Sequence, residues 1–354
     1  MSTLIKGLHH VTLCPGRAQE DVDFFTQVLG QRLVKQTVLL DGRIPIYHLY
    51  YGNADADVGS ILTTFPYRGR PGRVGTGQVS STIYTIPKGS VGFWIDHFTR
   101  HRVDHGAIAE RFGARYVRVR HPAGPLIELV EDGSDTRRPW MTKQISDDVA
   151  TRGFFGAVMS VRDACEQESF LNEALGFRKI GVDGAYHRFE IPGDGPGRFV
   201  DLLHEPDRGA GSWGFGEGIV HHIAFNVETD EALVQQKGLY EELGFTDASE
   251  LKDRYYFHSV YVRSPGGVLI ECTANVPGGF CIDEAQDSLG MQLHLPPWYE
   301  GHRDAILSML EPIVVPEENR LKPGMSYIAP SKTTARPPRS ITLSRTKPDF
   351  VTNR

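Results

Sequence analysis

Short apolar-rich runs recur along this chain, the pattern of strands. Residues 8–13 read LHHVTL, 154–161 read FFGAVMSV and 219–227 read IVHHIAFNV. Between the runs lie stripes at the helical period. In AQEDVDFFTQVLG (18–30), Val22, Phe25 and Leu29 fall on one face. The succession of strand, helix and three further strands recurs four times, with roughly 55–70 residues to each copy.

The first copy runs from LHHVTL through RLVKQTVLL and PIYHLYYG to GSILTTF. The second uses STIYTIP, a helix around SVGFWIDHFTRH, then ARYVRVR and PLIELVED. The third continues from FFGAVMSV to a helix ending ALGF, then YHRFEI and FVDLLHE. The fourth has a helix ending ELGF, then YYFHSVYVR and GVLIECTAN. This order is similar to the βαβββ module of the vicinal oxygen chelate superfamily. The expected fold is therefore α+β, with four βαβββ modules forming two half-barrel units. In sequence the modules pair over 5–140 and 150–276, and an extension occupies 277–354. Residues 321–354 are rich in Pro, Ser, Thr and basic residues without an apolar period, which predicts an extended segment.

In that superfamily, metal ligands stand on the first and last strands of modules, so those positions decide how the modules combine. The first module offers His10 and no carboxylate. The second offers Glu128 without a histidine, and the third offers Asp201 with Gly156 or Ala157 in the histidine's place. The fourth offers both His222 and Glu271. Pairing sequence neighbours never yields three ligands. Pairing the first module with the fourth yields His10, His222 and Glu271, a two-histidine, one-carboxylate set suited to Fe(II), with Mn(II) as the alternative ion. One HH doublet alone reads more simply as a packed and a solvated histidine. Two doublets at matching positions, and a carboxylate among Val268, Leu269, Ile270 and Cys272 that needs a cation, favour a metal. Glu128 and Asp201 are expected to be salt-bridged or solvated.

Composition removes other classes. The 354 residues are 40% apolar and 23% charged, and a net charge of -6 gives no reason to expect nucleic acid or an anionic membrane as partner. No apolar run is long enough for a membrane helix, and the N-terminus does not read as a secretory signal. Cys14, Cys165, Cys272 and Cys281 form no CxxC pair, so a disulfide frame is not expected and the cytoplasm is the default compartment. Oligomeric state stays open, a homo-oligomer included.

Strand alternation places Thr12 on the face of His10, within reach of a bound oxygen, and turns Cys272 away from that of Glu271. Alternation also points His9 and His221 away from the pocket, unless a twisted strand edge brings them in as acid–base groups. Tyr261 precedes Glu271 by ten residues on the adjacent strand, the spacing of a substrate-contacting tyrosine in extradiol catechol dioxygenases. Those enzymes carry a histidine about nine residues before that tyrosine. Here Lys252 holds that place with Arg254 nearby, which argues against an ordinary catechol enzyme, because a guanidinium stabilises a phenolate and does not shuttle protons.

The stretches LHHVTL, DVDFFTQVLGQRLVKQTVLLDGRIPIYHLYYG, LLHEPDRGAGSW, GIVHHIAF, RYYFHSVYVRSPGGVLIE and SLGM resemble the hydroquinone 1,2-dioxygenases, in particular their 2,6-dichlorohydroquinone-cleaving branch, over roughly residues 5–315. The resemblance implies iron held by His10, His222 and Glu271, with His9, Thr12, His221, Arg254 and Tyr261 around it. The implied reaction is 1,2-cleavage of a para-hydroquinone, unsubstituted or bearing chlorine or alkyl groups, with both atoms of O2 entering the product. An extradiol catechol dioxygenase, a glyoxalase-type isomerase and a metal-free binding protein are the alternatives.

Overall fold

The structure, a computed structural model, describes residues 3–41, 44–193 and 195–320. The extended segment expected over 321–354 lies outside them. The first module comprises β1 (Leu8–Cys14), α1 (Ala18–Asp23), β2 (Arg32–Val38), β3 (Tyr47–Gly52) and β4 (Ile61–Thr64). The second comprises β5 (Gln78–Ile86), α2 (Val91–His101), β6 (Ala109–Arg111), β7 (Ala114–Arg120) and β8 (Leu126–Glu131). In the third are β9 (Phe154–Val161), α3 (Ala164–Glu173), β10 (Arg178–Asp183), β11 (Tyr186–Glu190) and β12 (Phe199–His204). The fourth has β13 (Ile219–Asn226), α4 (Asp230–Glu242), β14 (Lys252–Asp253), β15 (Phe257–Arg263) and β16 (Leu269–Asn275).

The first helix departs from the pattern. It is α-helical only to Asp23 and continues as a π-helical turn over Phe24–Val28, with Leu29 N–H donating to the Phe24 carbonyl at 3.0 Å. The wider turn buries the adjacent rings of Phe24 and Phe25 together, which a 3.6-residue period does not do.

The strands form two eight-stranded half-barrels. One has the order β14-β15-β16-β13-β1-β4-β3-β2 and so joins the fourth module to the first. The other has the order β10-β11-β12-β9-β5-β8-β7-β6 and joins the third to the second. In each, two opening strands meet antiparallel at the centre, β1 with β13 and β5 with β9. A single apolar cluster, including Phe25, Trp94, Phe154, Phe170, Phe225 and Tyr240, joins the helices to both sheets. Burial of that apolar area supplies the main stabilising term.

Residues 277–320 form short 3-10 turns and α5 (Arg303–Met309), and they cover the free edge at β2. The Asn319 amide takes Leu33 N–H at 2.7 Å and donates to the Leu33 carbonyl at 2.8 Å, so one side chain caps the strand edge. Lys35 is fully buried and is paired with Asp283 at 2.8 Å and Glu284 at 2.7 Å, which offsets its desolvation. Gly290 sits so close that a Cβ would lie 2.0 Å from the Leu33 carbonyl, and its φ is +75°. No other residue fits there.

Candidate metal centre

The site grows out of two register breaks where β1 meets β13. Leu8 faces Phe225 and His10 faces Ala224, which leaves His9 as an extra residue. Thr12 faces His222 and Leu13 faces Val220, which leaves His221 as the extra residue on the other strand. Each HH doublet therefore carries a β-bulge, and a bulge re-aims a side chain that alternation would turn away. Strict alternation would turn both residues away from the pocket; the bulge brings His221 to the cavity wall, whereas His9 stays off it. His9 Nδ1 lies 2.9 Å from His10 Nδ1, and His221 Nδ1 lies 2.7 Å from His222 Nδ1.

These contacts set the protons. Burial, then the neighbouring His10, lowers the His9 pKa to about 3, so His9 is neutral. Its Nε2–H donates to Asn275 Oδ1 at 2.8 Å, which leaves Nδ1 to accept from His10 Nδ1–H. The lone pair of His10 Nε2 then faces inward. His221, lowered to about 3 by burial and by His222, is likewise neutral and shares one proton with His222 between their Nδ1 atoms; with His222 as the donor, the lone pair of His222 Nε2 faces inward. Orienting a ligating imidazole through its second nitrogen is the usual support of a metal site.

Three atoms meet there. His222 Nε2 is 2.9 Å from Glu271 Oε2, His10 Nε2 is 3.3 Å from the same oxygen, and the two nitrogens are 3.1 Å apart. Bonds of about 2.1 Å at right angles would set donor atoms about 3.0 Å apart, whereas tetrahedral bonds would set them about 3.4 Å apart. The three separations span this range, as three ligand atoms of one ion would. Glu271 is fully buried, and Ser259 and Thr273 both donate to its Oε1. Oε2 is buried without a hydrogen-bond donor. Burial raises the Glu271 pKa, but the two imidazoles outweigh it and hold the group well below the carboxylate range. An anion and two lone pairs converging in a dry site are complete only with a cation, so these residues fit a divalent metal.

The triangle lies on a cavity of about 610 Å3 whose walls are mostly apolar, with Val38, Ile46, Phe65, Phe215 and Phe257 among its lining residues. Tyr261 stands directly across from Glu271 in the β15–β16 register and lines this cavity. Burial raises its pKa, opposed by Arg254, so the phenol stays protonated. Arg254 Nε donates to the Tyr261 hydroxyl at 3.2 Å, and Arg254 Nη1 bonds Asp41 at 2.5 Å. His221 also lines the cavity. His9 and Thr12 do not line the cavity; His9 lies behind His10, and the Thr12 hydroxyl is 2.8 Å from His222 Nε2 and 2.7 Å from Thr63 Oγ1. Residues the sequence did not single out are Asn275, Ser259 and Thr273 behind the ligands, and His48 and Tyr50 on the wall. The HLYY pattern of β3, with polar groups two residues apart on one face, was the available signal for the last two.

The other half-barrel places a guanidinium where its carboxylates converge. Arg111 Nη2 bonds Glu128 at 2.6 Å and its Nε lies 3.0 Å from Asp201 as an ion pair, while Arg118 and Arg188 hold the outer sides of those two carboxylates. Glu128 and Asp201 are thus ion-paired, as expected.

Two half-barrels of paired βαβββ modules, one with a two-histidine, one-carboxylate centre, define the vicinal oxygen chelate class. Glyoxalase I of Zea mays shares the fold, with a TM-score of 0.56 at 15% identity over 76% of this chain and 92% of that one. No family model matches the chain. A chlorohydroquinone/hydroquinone 1,2-dioxygenase of Sphingobium indicum is 40% identical over 316 residues, covering 88% of this chain and 98% of the relative. MhqO of Bacillus subtilis, described as a ring-cleaving dioxygenase, is 37% identical over 90% of this chain and 99% of its own length. A solved Bacillus subtilis structure described as a dioxygenase aligns with a TM-score of 0.83 at 37% identity, over 89% of this chain and 99% of that one. The chain belongs to the hydroquinone 1,2-dioxygenase family, with the vicinal oxygen chelate fold, and it is a ring-cleaving dioxygenase.

Proposed function

We propose that the protein is a Fe(II)-dependent dioxygenase that opens a para-hydroquinone, unsubstituted or carrying chlorine or alkyl groups, by 1,2-cleavage. One ring carbon–carbon bond breaks and two carbon–oxygen bonds form, so both atoms of O2 end in the product. The observation that carries this reading is the convergence of His10 Nε2, His222 Nε2 and Glu271 Oε2 on a largely apolar cavity with Tyr261 and Arg254 beside them. The hydroquinone 1,2-dioxygenase of Sphingobium indicum supports the choice of substrate.

His10, His222 and Glu271 would hold the metal, with Mn(II) as the alternative ion. A ferrous ion there supplies the redox chemistry that lets a closed-shell phenol react with O2. The residues do the rest. Tyr261 and the permanent charge of Arg254 stabilise a substrate oxygen that has lost its proton. The His221 ring on the wall offers Nε2–H as a donor to the substrate, because its Nδ1 is committed to His222. Phe65, Phe215 and Phe257 pack the ring and limit water.

The test is oxygen uptake by protein reconstituted anaerobically with ferrous salt, across hydroquinones and catechols, with a manganous control. Faster uptake with hydroquinones, one O2 per ring opened, is expected. Faster turnover of catechol, or ring loss without O2 consumption, would overturn the reading.

A further inference from the structure

The site contains an internal two-fold relation that one of its halves leaves unexplained. In the fourth module, Tyr261 faces Glu271 across adjacent strands. In the first module, Tyr50 faces Thr63 across β3 and β4. Thr63 holds the first module's carboxylate position, because Thr12 pairs with Thr63 as Ala224 pairs with Glu271, each two residues beyond a ligand histidine. Tyr50 is therefore the counterpart of Tyr261, and both line the same cavity.

Each tyrosine has a nitrogen partner. Arg254 serves Tyr261, and His48 Nδ1 lies 2.8 Å from the Tyr50 hydroxyl. His48 also lines the cavity. Its other nitrogen, Nε2, is buried with no partner among the described residues. An unpaired buried polar atom on a cavity wall is a cost that a ligand can relieve. Whichever of the two groups carries the shared proton, the His48–Tyr50 pair keeps one free donor and one free acceptor. That is the complement of a hydroxyl group, which donates once and accepts. Burial holds His48 neutral, with its pKa well below the ordinary value, so the pair does not present a charge.

We propose that His48 and Tyr50 bind the substrate hydroxyl para to the one beside Tyr261, and so select 1,4-diols over rings that lack that group. The inference rests on the proposed function. A para-diol carries two equivalent hydroxyls, and the cavity offers each a tyrosine with a nitrogen partner. A 1,2-diol presents both oxygens at one end and leaves the His48–Tyr50 pole unpaired. Sites built to bond a hydroxyl discriminate strongly against analogues without it.

The experiment is anaerobic calorimetric binding of hydroquinone and of 4-methylphenol to the ferrous protein, with kcat and KM for hydroquinone and catechol. Wild type should prefer hydroquinone to 4-methylphenol. In Tyr50→Phe and His48→Leu that preference should shrink about tenfold, with 4-methylphenol binding and iron stoichiometry unchanged and KM for hydroquinone raised. His48→Gln, which keeps a donor and an acceptor, should restore part of it. A preference left intact in both variants, or lost equally for both ligands, would overturn this inference while the function stands. A wild type that neither binds nor cleaves hydroquinone would overturn the function and the inference with it.

Discussion

The two half-barrels can be laid over one another position by position. On the opening strands, His10 and His222 of one sheet correspond to Ser81 and Gly156 of the other, as fixed by the pairing of each with its module's last strand. On the last strands, Thr63 and Glu271 correspond to Glu128 and Asp201, and the facing residues Tyr50 and Tyr261 correspond to Arg118 and Arg188. One sheet holds two imidazoles, one carboxylate and a cavity. The other holds two carboxylates and three guanidiniums, with Arg111 at the centre. No histidine fits at Gly156, since a Cβ there would lie 2.2 Å from the Phe199 carbonyl. Both sheets bury anions and must compensate them. The second does so with a charge fixed to the chain, which fills the space. The first leaves an oxygen unpaired and room beside it, the condition for binding an exchangeable ion and a substrate.

Substitutions can break this contrast, and the largest effect is expected at Glu271. Glu271→Ala should lose stoichiometric ferrous iron and bring oxygen uptake to background, whereas Glu128→Gln should leave turnover per folded molecule unchanged. Iron analysis alongside uptake reads both. Arg111→Ala should reduce stability by about 3 kcal/mol in urea melts, because it removes the shared central cation and leaves each buried carboxylate with a single guanidinium. Its metal content should stay the same if the two sheets are chemically independent. His9→Ala and Asn275→Ala should weaken metal affinity by about 10–100-fold, measured by competition with a chelator, since each removes a support of His10. The smallest effect belongs to the covering segment. Asn319→Ala should lower stability by about 1–3 kcal/mol through the unpaired edge at Leu33, with metal stoichiometry unaffected.

Much of this was legible in the sequence. Counting what each module offers singled out His10, His222 and Glu271, which the fold brings together, and the same count paired the first module with the fourth. Tyr261 was readable from the ten-residue spacing to Glu271 that resembles extradiol catechol dioxygenases, and the β15–β16 register sets the two side by side. What escaped has a common cause. The roles of His9 and His221 depend on bulges, which strict alternation cannot register. Arg111 stands on β6 of the second module, and its partner Asp201 belongs to the third, a pairing that no local pattern carries. The β2 edge cover depends on Asn319 meeting Leu33, a contact that periodicity never encodes. Among the described residues no helix is long and apolar enough to cross a membrane.

The central claim is that histidines from both ends of the folded body share one metal ion with Glu271. Anomalous diffraction at the iron edge from crystals grown anaerobically with ferrous salt tests it most directly. The account predicts one peak within bonding distance of His10 Nε2, His222 Nε2 and Glu271 Oε2, and none near Glu128 or Asp201. A peak elsewhere, or no peak in crystals that cleave hydroquinone, would contradict it.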